Sequence, residues 1–102
     1  MDPITELTRR FNLQQWQVKN VVELIDDGNT IPFIARYRKE AHGSLDDQVL
    51  REIAERLDYL RSLEKRREEV KTLIEETGLL TPEVTAELQK AETLAEIEDI
   101  YR

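Results

Sequence analysis

The 102-residue sequence contains no cysteine, one histidine, three glycines and three prolines. The absence of cysteine excludes a disulfide scaffold and every thiolate zinc site, and a single histidine argues against an all-protein zinc centre. No metal or cofactor is therefore expected. The sequence also lacks any apolar run approaching the roughly 20 residues of a membrane helix. Its N-terminus does not show the basic, apolar and then small-residue order of a signal peptide. These absences lead to the expectation of a soluble, cytoplasmic chain with no membrane partner, and zero cysteine suits a reducing compartment.

What is present is charge, at 36% of residues, beside 39% hydrophobic residues, enough for one domain with a core of modest size. Fifteen Lys and Arg face 22 Asp and Glu, a formal net charge of −7. So acidic a chain repels a phosphate backbone unless its cations cluster. They are unevenly spread: residues 36–71 hold ten basic and nine acidic residues, whereas residues 75–102 hold two basic and eight acidic.

Glycine and proline punctuate helical periodicities. Asp2 and Pro3 open a first helix with Ile4, Leu7 and Phe11 on one face. Asn12 with Gln15 resembles a capping box that opens a second helix, expected to bury Trp16, Val18, Val21, Val22 and Ile25 and to end at Gly28. Pro32 lies in the first turn of a third helix, with Phe33, Ile34, Tyr37 and Ala41 as its apolar side. After a break at His42, Gly43 and Ser44, a second capping signature at Ser44 and Asp47 starts a long helix. Thr81 with Pro82, and Thr93 with Glu96, start two more. No stretch alternates with period two over strand length. The expected fold is all-α: six helices, three short N-terminal and two short C-terminal ones packed on one long central helix.

From Leu45 to Thr77 that helix would measure about 50 Å, more than the roughly 35 Å width of a compact domain of this length. Its apolar stripe of Val49, Leu50, Ile53, Leu57, Leu60 and Leu63 resumes at Val70, Leu73 and Ile74, and fails across the six charged residues Glu64 to Glu69. The pattern predicts one strut threading two small cores, an N-terminal bundle over residues 1–63 and a C-terminal lobe over residues 64–102. A bend near residue 65 is the alternative, and the lack of Gly or Pro there argues against it.

No convergent catalytic constellation is found: the pairs Asp26/Asp27 and Asp46/Asp47 point about 100° apart on a helix, and His42 stands without a second metal-ligating partner. No catalytic residue is assigned. The segment Ile31 to Glu40 is more suggestive. A helix beginning at Pro32 places Arg36 and Lys39 together, with Arg38 nearer the boundary, as a contact for phosphate or for a partner protein. With helix two and the turn between, it has the outline of a helix-turn-helix. Pairing of Arg36 and Lys39 with Asp46, Asp47 or Glu52 is the plainer alternative. A second basic cluster, Arg61, Lys65, Arg66 and Arg67, adds Arg66 and Arg67 as candidate contacts, partly neutralised by Glu64, Glu68 and Glu69.

The run IPFIARYRKEAHGSLDD at residues 31–47 resembles the N-terminal region of the Tex family of bacterial transcription accessory proteins. So do Leu50-Arg51, ERLDYLRSLEKRR at residues 55–67, Leu80-Thr81 and Glu98-Asp99-Ile100-Tyr101. The resemblance implies a longer protein with an RNase H-like domain without evident nuclease activity, helix-hairpin-helix elements and a C-terminal OB-fold RNA-binding domain. It implies architectural similarity to a eukaryotic elongation factor that handles histones. His42 and Ser44 depart from the family pattern, which has Thr and Gly there, and the sequence stops before the basic Pro, Lys and Arg-rich segment of such proteins. The implied function is a non-enzymatic scaffold for the nucleic-acid-binding domains of an RNA-binding transcription protein. Its implied partners are those remaining domains, RNA or DNA for the full-length protein, and the transcription machinery. This chain's own nucleic-acid affinity is expected to be weak. The alternative is direct DNA or RNA binding through the third helix.

Overall fold

The computed structural model describes residues 2–102, which are all-helical in seven helices. These are α1 (Pro3–Phe11), α2 (Gln15–Asp26), α3 (Ile31–Tyr37), α4 (Lys39–His42), α5 (Asp47–Glu76), α6 (Pro82–Lys90) and α7 (Leu94–Tyr101). The extra helix comes from a break in the expected third one, at Arg38 (φ −125°, ψ 39°). The α5 helix runs without interruption through residues 60–70. None of the described helices is long and apolar enough to cross a membrane. The chain divides into two compact units, Met1–Tyr59 and Leu60–Arg102.

In the first unit the hub is α2, which packs closely on α1, α3 and α4, and not the long helix as the periodicity suggested. The start of α5 joins this core through side chains: Leu50, Ile53 and Leu57 are buried with Leu7, Val18, Val21, Val22, Leu24, Ile34 and Ala41. Trp16, expected inside, is 50% exposed. The reason is angular, because Trp16 is two positions before Val18 and points some 200° away from the buried stripe. Asn12 is not an N-cap either. It adopts the left-handed conformation that ends α1 (φ 53°), and the Leu13 N–H reaches back to the Thr8 carbonyl at 3.1 Å. The start of α2 is instead fastened by Gln17, whose Oε1 accepts from the Gln14 N–H at 3.0 Å.

Thr30 caps α3 by accepting from the Phe33 N–H at 3.2 Å, with Pro32 in the first turn. Ser44 does not cap α5. It follows Gly43 in left-handed geometry (φ 61° and 72°), and the Leu50 N–H bonds the Asp46 carbonyl as the helix begins.

The second unit has the smaller core, Leu63, Val70, Leu88, Ala91 and Ile97. Thr81 and Thr93 cap α6 and α7, accepting from Val84 and Glu96 N–H groups at 3.2 and 3.1 Å, as the sequence signatures indicated. Leu73, expected in the stripe, is exposed, whereas Arg67 is only 6% exposed and fills the gap in the stripe between Leu63 and Val70.

Candidate contact surfaces

The α3–α4 corner is built from side chains that satisfy backbone groups. A single-turn helix leaves nearly all its carbonyls without helical partners. Here Gln17 Nε2 donates to the His42 carbonyl and Asn20 Nδ2 to the Ala41 carbonyl, each at 2.9 Å. His42 is fully buried. Its Nδ1 accepts from the Leu45 N–H at 2.8 Å, which leaves Nε2 to donate to the Ile34 carbonyl at 2.9 Å. The break at Arg38 is thus held by tertiary hydrogen bonds, and no Gly or Pro announces it. Gly43 lies so close to Gln17 that a Cβ there would meet Nε2 at 2.9 Å. The sequence pattern puts His42 in a turn without a metal-ligating partner, and its role as a buried clasp carries no local signal.

The five candidate cations have unlike surroundings. Arg36 is exposed, its guanidinium 5.3 Å from the centroid of the Tyr37 ring. Lys39 is exposed at the start of α4. Among the described residues, neither forms an ion pair; Asp47 pairs with Arg51 at 3.2 Å, and Glu52 accepts from Gln48. Arg38 turns to Glu40, with Nε to Oε1 at 2.7 Å, and this hydrogen bond holds the Glu40 carboxyl below its ordinary value. Beside α3 and α4, a groove of about 400 Å³ is lined by Asn20, Glu23, Leu24, Asp27, Arg38, Glu40 and Ala41.

Arg66 and Arg67 belong to the second unit. Arg66 grips Glu98 with two bonds, Nε to Oε1 at 2.6 Å and Nη2 to Oε2 at 3.2 Å, and its guanidinium lies 5.5 Å from the Tyr101 ring centroid. The Arg66 hydrogen bond lowers the Glu98 pKa, and Glu98 in turn raises that of Arg66. Arg67 points inward, donating to Glu64 at 3.0 Å and to the Leu88 carbonyl near the end of α6. Arg67 therefore adds a charged side-chain donor at the C-terminal end of α6, where the Leu88 carbonyl also accepts from the Ala91 N–H at 3.3 Å. Among the described residues no group of three or more His, Asp or Glu side chains is arranged to hold a metal ion.

Residues 1–75 match the family model described as the Tex-like protein N-terminal domain. Over 98 residues, 96% of this chain, the sequence is 50% identical to the Bordetella pertussis protein tex. It is 47% identical over 95 residues, 93% of this chain, to the transcriptional accessory protein Tex of Neisseria gonorrhoeae. It is 33% identical over 99 residues, 97% of this chain, to the human S1 RNA-binding domain-containing protein 1. The chain spans only 12% of the length of each of the two bacterial relatives and 10% of the human one. The IPFIARYRKE block that carries α3 and starts α4 lies inside the matched region, and the chain belongs to the Tex-like N-terminal domain family.

Proposed function

We propose that the chain is a non-catalytic, cytoplasmic scaffold module of a longer, RNA-binding transcription accessory protein of the Tex type. In that protein it seats the nucleic-acid-binding domains and, through them, the transcription machinery. The observation that carries this reading is the inward use of the basic run at residues 65–67: Arg66 is clasped to Glu98, and Arg67 to Glu64 and the Leu88 carbonyl. Its arginines hold this chain's own helices together. Leu73, Leu79 and Tyr101 of the same unit stand 36%, 68% and 43% exposed, surface suited to contact with further domains. The name of the human relative attributes RNA binding to an S1 domain, and this chain covers 10% of that protein.

Association in trans tests the scaffold. The chain is mixed with the remainder of a full-length Tex-type polypeptide, and binding is followed by calorimetry. Saturable association is expected, and Leu79→Glu weakens it at least tenfold while the melting midpoint of the chain stays unchanged. No association at any accessible concentration would refute the scaffold.

A second reading, direct contact of α3 and α4 with nucleic acid, is favoured by one observation: Arg36 and Lys39 carry no carboxylate partner among the described residues in a chain rich in carboxylates. It calls for salt-sensitive binding that is lost when Arg36, Arg38 and Lys39 are replaced by Ala.

A further inference from the structure

Sequence periodicity put Phe33 and Tyr37 into the core; the structure leaves them 42% and 60% exposed. Four residues apart on α3, they share one face, with ring centroids 5.3 Å apart and planes tilted by 45°. Such a pair normally lends its area to a core or an interface. Arg36 flanks Tyr37 at 5.3 Å, and Lys39 follows at the start of α4. The backing is firm: Ile34 is fully buried and its carbonyl is held by His42 Nε2. Two rings and two cations are thus presented in water on a turn anchored from behind, which limits the ordering a ligand must impose.

We propose that this face of α3 is a stacking platform for single-stranded nucleic acid, in which bases lie on Phe33 and Tyr37 and phosphates meet Arg36 and Lys39. The assignment rests on the second reading above and adds to it the class of strand and the residues that hold the bases. Exposed rings recognise the π-faces of unpaired bases, which a duplex hides in its own stack. A helix of seven residues is only about 10 Å long, and aromatic rings stand on it where major-groove reading needs hydrogen-bonding groups. The net charge of −7 opposes the dense phosphate array of a duplex more than that of a single strand. A protein partner is the less economical occupant, because a stable protein interface takes about 800 Å² from each side, whereas a strand can be held by a few stacked bases.

Fluorescence anisotropy of labelled oligothymidylate and oligouridylate of about a dozen nucleotides, against a duplex of matched length, tests the platform on the 102-residue chain at two salt concentrations. Single strands are expected to bind at least tenfold more tightly than duplex. Phe33→Ala and Tyr37→Ala should each weaken binding about fivefold or more, and Tyr37→Phe should retain it. Arg36→Gln and Lys39→Gln should each reduce the slope of log K against log salt by about 0.7. Circular dichroism of each variant checks that the helices persist, as the exposure of these side chains implies. Equal or tighter duplex binding, or a Tyr37→Ala variant as tight as the parent, overturns the platform and leaves the α3 contact reading standing. Failure of every nucleic acid to bind overturns both. Loss of association with the remainder of the polypeptide on Tyr37→Ala, without nucleic-acid binding, identifies the face as a protein-docking surface and likewise overturns the platform.

Discussion

The two units use the same kind of residue in opposite ways. Residues 1–59 build a core of Val, Leu and Ile around α2, tie the α3–α4 corner with neutral side chains, and leave Arg36 and Lys39 facing water. Residues 60–102 have fewer buried apolar side chains and draw arginine into the structure, with Arg67 standing where a leucine would continue the stripe. A local density of positive charge is therefore a poor guide to availability. The run Lys65-Arg66-Arg67 is the denser, yet two of its three cations are engaged internally, whereas the looser pair on α3 and α4 is open. A long guanidinium stem that packs like an aliphatic chain makes this possible.

The sharpest way to break the comparison is at the apolar core of the first unit. Leu57→Ala removes a side chain that is 2% exposed and should cost about 2–5 kcal/mol in urea unfolding. A variant with parental midpoint would show that this core does not hold the unit. Next in size is Arg67→Ala, which removes a buried side chain together with its bonds to Glu64 and the Leu88 carbonyl and should cost about 1–3 kcal/mol. Arg67→Met, which keeps the stem and loses the bonds, separates packing from hydrogen bonding; if Met restores full stability, the polar half of the contrast is wrong.

A smaller effect of opposite sign is expected at the corner. Ser44 has a φ of 61°, which costs a residue with a Cβ more than it costs glycine, so Ser44→Gly should raise stability by about 0.5–1 kcal/mol in the same assay. The smallest effect is electrostatic. The Glu98 carboxyl is held low by its hydrogen bonds to Arg66, so on unfolding it takes up protons as the pH drops. The pair's contribution is fully present above the ordinary carboxylate range and disappears as acid carries the pH down through the depressed folded value. The melting midpoint of Glu98→Gln should lie below the parent near neutrality and converge with it in acid; a constant offset at all pH values would mean that the ionised pair contributes nothing.

Where the sequence was informative, local chemistry decided the structure. Thr81 and Thr93 each accept from an N–H three residues on, beside Pro82 and Glu96, and such caps need nothing beyond their own turn. The buried stripe of α5 through Leu57 was equally legible. The failures arose where distant residues decide. The break at Arg38 exists because Gln17, Asn20 and His42 bind backbone groups of α3 and α4, contacts spanning up to 25 positions. The charge of Arg67 conceals its place at i+4 from Leu63 and i−3 from Val70, and so its burial. Trp16 and Phe33 are hydrophobic but lie off the buried helical phase that Val18 and Ile34 occupy. As for the candidate site, Arg36 and Lys39 could be named from the sequence, but the exposure of their aromatic neighbours could not.

His42, with both ring nitrogens occupied and no exposed surface, gives the chain an internal gauge. An imidazole-acylating reagent, or solvent deuterium exchanging at the ring C2 position, can reach it only during moments when the α3–α4 corner comes apart. As the sole histidine of the chain, it yields one unambiguous signal, so the fraction of time that corner spends open can be read without introducing any label.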